Sequence, residues 1–150
     1  MPLRLSGFII ALLATAAIPA WAQDAIGQIK TETGTVLIQH NGAPESAAIG
    51  VRLFESDSIT TSQDGSIGIT FADNSTMSLG PNTRLDLDTF QFDSTTHLGN
   101  FNVSLEKGTL AVKSGDIVRQ TPEAMHIKTP VALLGVRGTE FVVLAADKSR

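Results

Sequence analysis

Four times along the chain a turn glycine is followed by a hydroxyl residue and then by alternating strand residues. The units are Gly34-Thr35-Val36-Leu37-Ile38, Gly65-Ser66-Ile67-Gly68-Ile69, Gly108-Thr109-Leu110-Ala111-Val112 and Gly138-Thr139-Glu140-Phe141-Val142. A side-chain period of two buries one face of an extended chain and wets the other. The units begin 31, 43 and 30 residues apart, so they are not a strict repeat. Helical spacing is not sustained anywhere beyond residue 22; residues 131–136 come nearest, but the run is short and Gly135 weakens it. Short strands between turn clusters, with no long crossover, predict an all-β domain, either sandwich-like or an irregular β-solenoid.

The strands can be placed from the alternation. Ile67, Ile69 and Phe71 share one face, Met77 and Leu79 another, and Leu85 and Leu87 point inward between outward Asp86 and Asp88. Phe90 and Phe92 continue the apolar series on the opposite parity. A period-two element changes parity only by inserting a residue, so a bulge is predicted near Asp88-Thr89. Phe101, Val103 and Leu105 form the next strand, Gly108 is expected to break it, and Leu110 and Val112 form a short one. Turns are expected at His40-Asn41-Gly42-Ala43-Pro44, where Asn-Gly accepts positive φ and Pro44 stops continuation, and at Ser114-Gly115-Asp116.

The N-terminus reads as a secretory signal. One arginine, Arg4, precedes an apolar run over residues 7–17, Pro19 ends the run, and Ala20-Trp21-Ala22 supplies small residues at the two positions a signal peptidase reads. The run is shorter than the ~20 residues a spanning helix needs, so cleavage between Ala22 and Gln23 is expected rather than anchoring. The expected organisation is a signal peptide at 1–22, a polar lead at 23–33, a β domain at 34–145 and a tail at 146–150, with export to the periplasm or beyond.

The chain has no cysteine, so neither lipid attachment nor a disulfide can help; the domain must fold on its apolar core. Its net charge of −4, with no Lys/Arg cluster, argues against nucleic acid and against an anionic membrane surface.

The last quarter, Thr129-Pro130-Val131-Ala132-Leu133-Leu134-Gly135-Val136-Arg137-Gly138-Thr139-Glu140-Phe141-Val142-Val143, resembles the closing signature of the FecR-like domain family, Thr-Pro-x-Ala-x-x-x-Val-Arg-Gly-Thr-x-Phe-x-Val. The resemblance extends upstream. Gly50-Val51-Arg52-Leu53-Phe54-Glu55-Ser56-Asp57-Ser58-Ile59-Thr60-Thr61 is similar to the family's Gly-x-x-Leu-x-x-Gly-Asp-x-Ile-x-Thr, with Ser56 where glycine is expected. Asn74 stands in the glycine position of the turn that follows Phe71-Ala72-Asp73, a cheap exchange because Asn tolerates positive φ. Covering roughly residues 34–143, the resemblance implies a solenoid-like β fold. The family's namesakes are inner-membrane signal transducers with a cytoplasmic anti-sigma segment, a transmembrane helix and a periplasmic sensing region. With a cleavable leader and no second apolar run of spanning length, this chain is expected to be the exported module without the anti-sigma role.

Within the motif Arg137 invites two readings: a planar fork tying carbonyls or a carboxylate such as Asp57, or an exposed contact for an anionic ligand or partner. Gly138 and Thr139 are expected to shape the turn, with Thr129, Pro130 and Phe141 as architecture around it. Asp86, Asp88 and Asp93 have the oxygens a calcium ion wants but read as a solvated strand face without a calcium-loop pattern. His40, His97 and His126 are dispersed, with no zinc spacing. No nucleophile elbow or phosphate loop is present, so a non-catalytic protein without a cofactor or metal is expected. The partner expected is an envelope protein such as a receptor, transporter or regulator, because open β-architectures accept added strands. Peptidoglycan or another polysaccharide is the alternative, disfavoured because sugar platforms use exposed aromatics while Tyr is absent and the single Trp, Trp21, lies in the leader. Self-assembly into an envelope scaffold is the third reading.

Overall fold

The computed structural model describes residues 22–147, so the expected signal segment, apart from Ala22, lies outside the described residues. In chain order the elements are β1 (Gly27–Thr33), β2 (Val36–Gln39), β3 (Pro44–Ser46), β4 (Arg52–Leu53), β5 (Ser58–Thr61), β6 (Ser66–Phe71), β7 (Thr76–Leu79), β8 (Arg84–Phe92), β9 (Gly99–Lys113), α1 (Asp116–Gln120), β10 (Met125–Lys128), β11 (Leu133–Gly135) and β12 (Glu140–Ala145). The fold is all-β, a sheet curled into a half-barrel. Its strand order is β3-β2-β5-β8-β9-β7-β6-β1-β4, with β10 and β12 also paired to β9 and β11 paired to β10. Ladders are antiparallel except β10–β9, which is parallel.

One line of corners explains the curl. β1 runs into β2 across Gly34-Thr35, β5 into β6 across residues 62–65, and β7 into β8 across residues 80–83. β1, β6, β7 and the C-terminal part of β9 pair in sequence on one side of that line. β2, β5, β8 and the N-terminal part of β9 pair on the other. Each excursion of the chain therefore bends at the same place, and the two inner faces close on one core. Ile29, Ile69, Phe71, Met77 and Leu110 come from one half, and Ile59, Leu85, Leu87, Phe101 and Leu105 from the other, all buried. Phe101 meets Phe71 and Phe90 edge-on at centroid distances of 4.7 and 4.8 Å. Burying each such side chain is worth about 1.5–3 kcal/mol.

At a corner the ladder is interrupted, so backbone groups need other partners. Hydroxyls supply them. Thr61 Oγ1 donates to the Gly80 carbonyl at 2.7 Å and accepts the Thr83 N–H at 2.9 Å. Thr83 Oγ1 in turn accepts the Thr109 N–H at 3.0 Å. Ser62 donates its N–H to the Thr35 carbonyl at 3.0 Å. Thr61 and Thr83 are buried. Three of the four glycine–hydroxyl units, those at Gly34, Gly65 and Gly108, mark this seam.

Several expectations are corrected here. Gly108 does not end a strand: β9 runs through it, because glycine at φ +97° bends the chain while pairing continues on both sides. Pro44 opens β3 instead of halting extension, as proline can on an outer strand. The stretch read as a polar lead contains β1, whose Ile29 is wholly buried. Residues 131–136, read as too short a run for a helix, hold the short strand β11, in keeping with that reading. After the Ser114–Asp116 turn comes a one-turn helix, α1, fixed from outside: Asp116 N–H donates to the Asp73 carbonyl at 2.7 Å and Gly115 N–H to Ser75 Oγ at 3.0 Å. The bulge expected near Asp88-Thr89 is present: Leu87 pairs with Val103 and Thr89 with Asn102, leaving Asp88 as the extra residue. Among the described residues no helix is long and apolar enough to cross a membrane.

Candidate functional site

The residues singled out by sequence fall into two places. Thr129, Pro130, Arg137, Gly138, Thr139 and Phe141 lie along the flank of β9 built by β10, β11 and β12. Asp57 lies immediately before β5, which only β8 separates from β9 in the strand order.

On the flank, Thr129 organises the turn between β10 and β11. Its N–H donates to the Ala132 carbonyl at 2.8 Å, and its Oγ1 accepts the Ala132 N–H at 3.1 Å. Pro130 sits inside this turn. Val136 is buried and donates its N–H to the Met125 carbonyl, closing the β10–β11 pair. Arg137 is 76% exposed and its guanidinium pairs with the exposed Glu123. It does not reach Asp57, whose carboxylate is filled elsewhere; an exposed ion pair of this kind contributes little to stability. Gly138 has φ +112°, as its position in the turn anticipated. Ser114 clamps that turn: its Oγ donates to the Gly138 carbonyl at 2.6 Å and its N–H to the Thr139 carbonyl at 2.8 Å. The Thr139 side chain has no partner among the described residues, so the turn is held through its backbone.

β12 follows, antiparallel to β9 from Glu140 opposite Lys113 to Ala145 opposite Gly108. Val143 is buried and Phe141 half-buried, while Val142 and Leu144 are 62% and 77% exposed. With Val131, Leu133 and Leu134 these make five exposed large apolar residues in fourteen positions, against three, Ile49, Val51 and Leu98, in the other described residues. That density is what distinguishes a binding surface from scattered surface apolar residues.

The edge of β12 is open in a definable way. The Thr109 carbonyl faces Gly80 on the β7–β8 side. Groups alternate along a strand, so Leu110 and Val112 direct theirs toward β12, where they meet Val143 and Phe141. The N–H and C=O groups of Glu140, Val142 and Leu144 then point away from β9, and among the described residues β12 pairs with β9 alone. Other edges are blunted: β3 carries Pro44 and Glu45, β4 has two residues and β11 three. β12 has six residues, no proline, and no charge after Glu140. An open edge of this kind is a template for an added strand.

Before β5, Asp57 is 1% exposed. Its Oδ2 accepts the Phe54 N–H at 2.8 Å and its Oδ1 lies 2.5 Å from His40 Nδ1. A carboxylate only accepts, so Nδ1 carries the proton. Ser56 adopts φ +72°, the conformation expected of the glycine it replaces, and Asn74 does the same at φ +64°.

The remaining candidates are scattered. Asp86 accepts from Ser58 Oγ, Asp88 accepts from Ser104 Oγ at 2.6 Å, and Asp93 accepts the Thr95 and Thr96 N–H groups at 2.8 and 3.2 Å. The Thr95 N–H, then that of Thr96, hold the Asp93 carboxyl below its ordinary range. Among the described residues no three His, Cys, Asp or Glu side chains converge as metal ligands. Sequence reading missed His40 as the partner of Asp57 and the open edge of β12; the exposed Val142 and Leu144, apolar on both faces of one strand, were the available signal for the latter.

Comparison with curated proteins and with solved structures returned no match. The model of the family described as FecR protein matches residues 57–150, from the buried Asp57 through the closing motif, and the part of the earlier resemblance that holds β2, β3 and β4 precedes that match in the same sheet. The chain belongs to the FecR protein family.

Proposed function

We propose that this chain is a non-catalytic sensing or adaptor module of the cell envelope, exported to the periplasm, that docks another envelope protein along β12. Family membership points to a signalling or sensing domain. The observation that carries the docking reading is the unpaired edge of β12, flanked by Val142 and Leu144. An extended segment of a receptor, transporter or regulator would add as a further strand, its backbone supplying affinity and its alternate side chains specificity. Exposed aromatic platforms that would favour a polysaccharide are lacking among the described residues: Phe71, Phe90 and Phe101 are in the core, and Phe54, Phe92 and Phe141 are half-buried.

The test is a photo-crosslinking residue placed at Val142 or Leu144 of the tagged chain in its native envelope, with mass spectrometry of the adducts. A dominant protein adduct, lost when the crosslinker is moved to the exposed Thr31 of β1, supports docking at β12. Sedimentation with sacculi without a protein adduct would replace it by wall binding, and an adduct of the chain with itself by scaffold assembly.

A further inference from the structure

Where the two ends of the strand order, β3 and β4, come to one place, the β2–β3 hairpin, β4 and the turn leading to Asp57 enclose a cleft of about 400 Å³. Its walls carry two kinds of group. Ile38, Val51 and Phe54 make an apolar lining, and His40, Glu45 and Arg52 bring polar heads to it. A volume of this size lies in the range of small-ligand sites, which combine an apolar lining with a few oriented polar groups.

The imidazole is built in place. Buried Asp57 accepts the Nδ1–H at 2.5 Å, and the Phe54 ring packs against His40 with centroids 5.0 Å apart. The backbone N–H of Phe54 occupies the other Asp57 oxygen, so the carboxylate cannot turn away. With Nδ1 committed to Asp57, the other ring nitrogen, Nε2, lies 3.2 Å from the Asn41 amide, so both ring nitrogens are held.

Glu45 and Arg52 give the cleft its charge pattern. They have opposite signs and line the same cleft, yet they do not pair with each other, and among the described residues neither side chain has another partner. Two such charges lining one apolar cleft are complementary to a molecule that itself carries both signs. From this we infer that the cleft binds a short peptide with free termini. Its carboxylate lies on Arg52, its ammonium on Glu45, and an apolar side chain against Ile38 and Phe54. The cleft is remote from β12, so the two sites fail independently.

The experiment is an amide-resolved NMR titration of the whole chain with alanyl-alanine, its N-acetyl derivative and its C-terminal amide. Saturable shifts are expected at the amides of Glu45, Arg52, Phe54 and Asp57, with about tenfold weaker binding when either terminus is blocked. Glu45→Gln removes the penalty for N-acetylation and Arg52→Gln the penalty for amidation. Both side chains are exposed, so the melting temperature should hold in each variant. Equal affinity for free and blocked dipeptides, or no saturable shift at these amides, overturns the inference.

Discussion

Gly108-Thr109 and Gly138-Thr139 are spelled alike and sit at opposite extremes of the same molecule. At Gly108 the chain bends under Thr83, and a Cβ there would overlap the Thr83 backbone and side chain. At Gly138 an added Cβ meets nothing within 4 Å. Thr109 is tied to a buried neighbour through its N–H, whereas Thr139 is exposed and held only through its carbonyl. A local sequence unit thus specifies a bend, and the surroundings decide whether that bend becomes the seam of the core or the root of a free edge.

The sharpest way to break this comparison is the alanine pair. Gly108→Ala combines a disfavoured positive φ with overlap against buried backbone, and should cost about 3 kcal/mol or more. Gly138→Ala meets the φ penalty alone, about 1 kcal/mol. Urea denaturation of both variants measures the difference; equal losses would show that the seam is no tighter than the edge. One step smaller, Thr83→Val keeps shape but strands the Thr109 N–H in the interior, costing about 2 kcal/mol. Thr139→Val should stay within about 0.5 kcal/mol of the parent in the same assay.

What the sequence disclosed follows this division. Alternation placed Ile67, Ile69, Phe71, Leu85 and Leu87 in the core, and the parity change at Phe90 located the Asp88 bulge, because period and register are local properties. The seam was visible only as a loose recurrence, since its meaning lies in hydrogen bonds between residues 22 to 26 positions apart, such as Thr61 with Thr83 and Thr83 with Thr109. Gly108 misled for the same reason: glycine reads as a breaker until partners on both sides hold the strand together. Of the two readings of Arg137 the exposed one holds: Val136 beside it turns into the core, while the Arg137 side chain points out to Glu123. The His40–Asp57 pair joins two loops 17 residues apart, and neither residue announces the other.

The flank of β9 offers a third comparison within a single strand. Val143 points into the core and Val142 out of it. Val143→Ala should cost about 2 kcal/mol by loss of buried surface. Leu144→Lys, with the crosslinking residue kept at Val142, should leave stability within about 0.5 kcal/mol while abolishing the crosslinked adduct at β12. Loss of stability in the lysine variant comparable to that of Val143→Ala would mean that the outer face is packed rather than open.

The smallest expected effect concerns charge at the seam. Asp64 is fully exposed, yet its carboxyl is held below the ordinary range, first by the Ser62 hydroxyl and then by the Thr35 N–H. The sign follows from linkage: a group depressed in the folded state stabilises above its unfolded value, and that contribution disappears as pH falls through its folded value. The window therefore lies below about pH 4. Asp93 is depressed in the same direction by the N–H groups of Thr95 and Thr96, but within a local turn far from the corner line. Asp64→Asn should flatten the acid limb of the stability curve, and because the Asp64 bond spans from residue 64 to residue 35 it should also loosen the first corner, seen as faster amide exchange at Thr35 and Ser62. Asp93→Asn should flatten the same limb without touching those amides. If both variants alter exchange at the corner equally, the seam is not a chain of separate local clamps but one cooperative unit running its whole length.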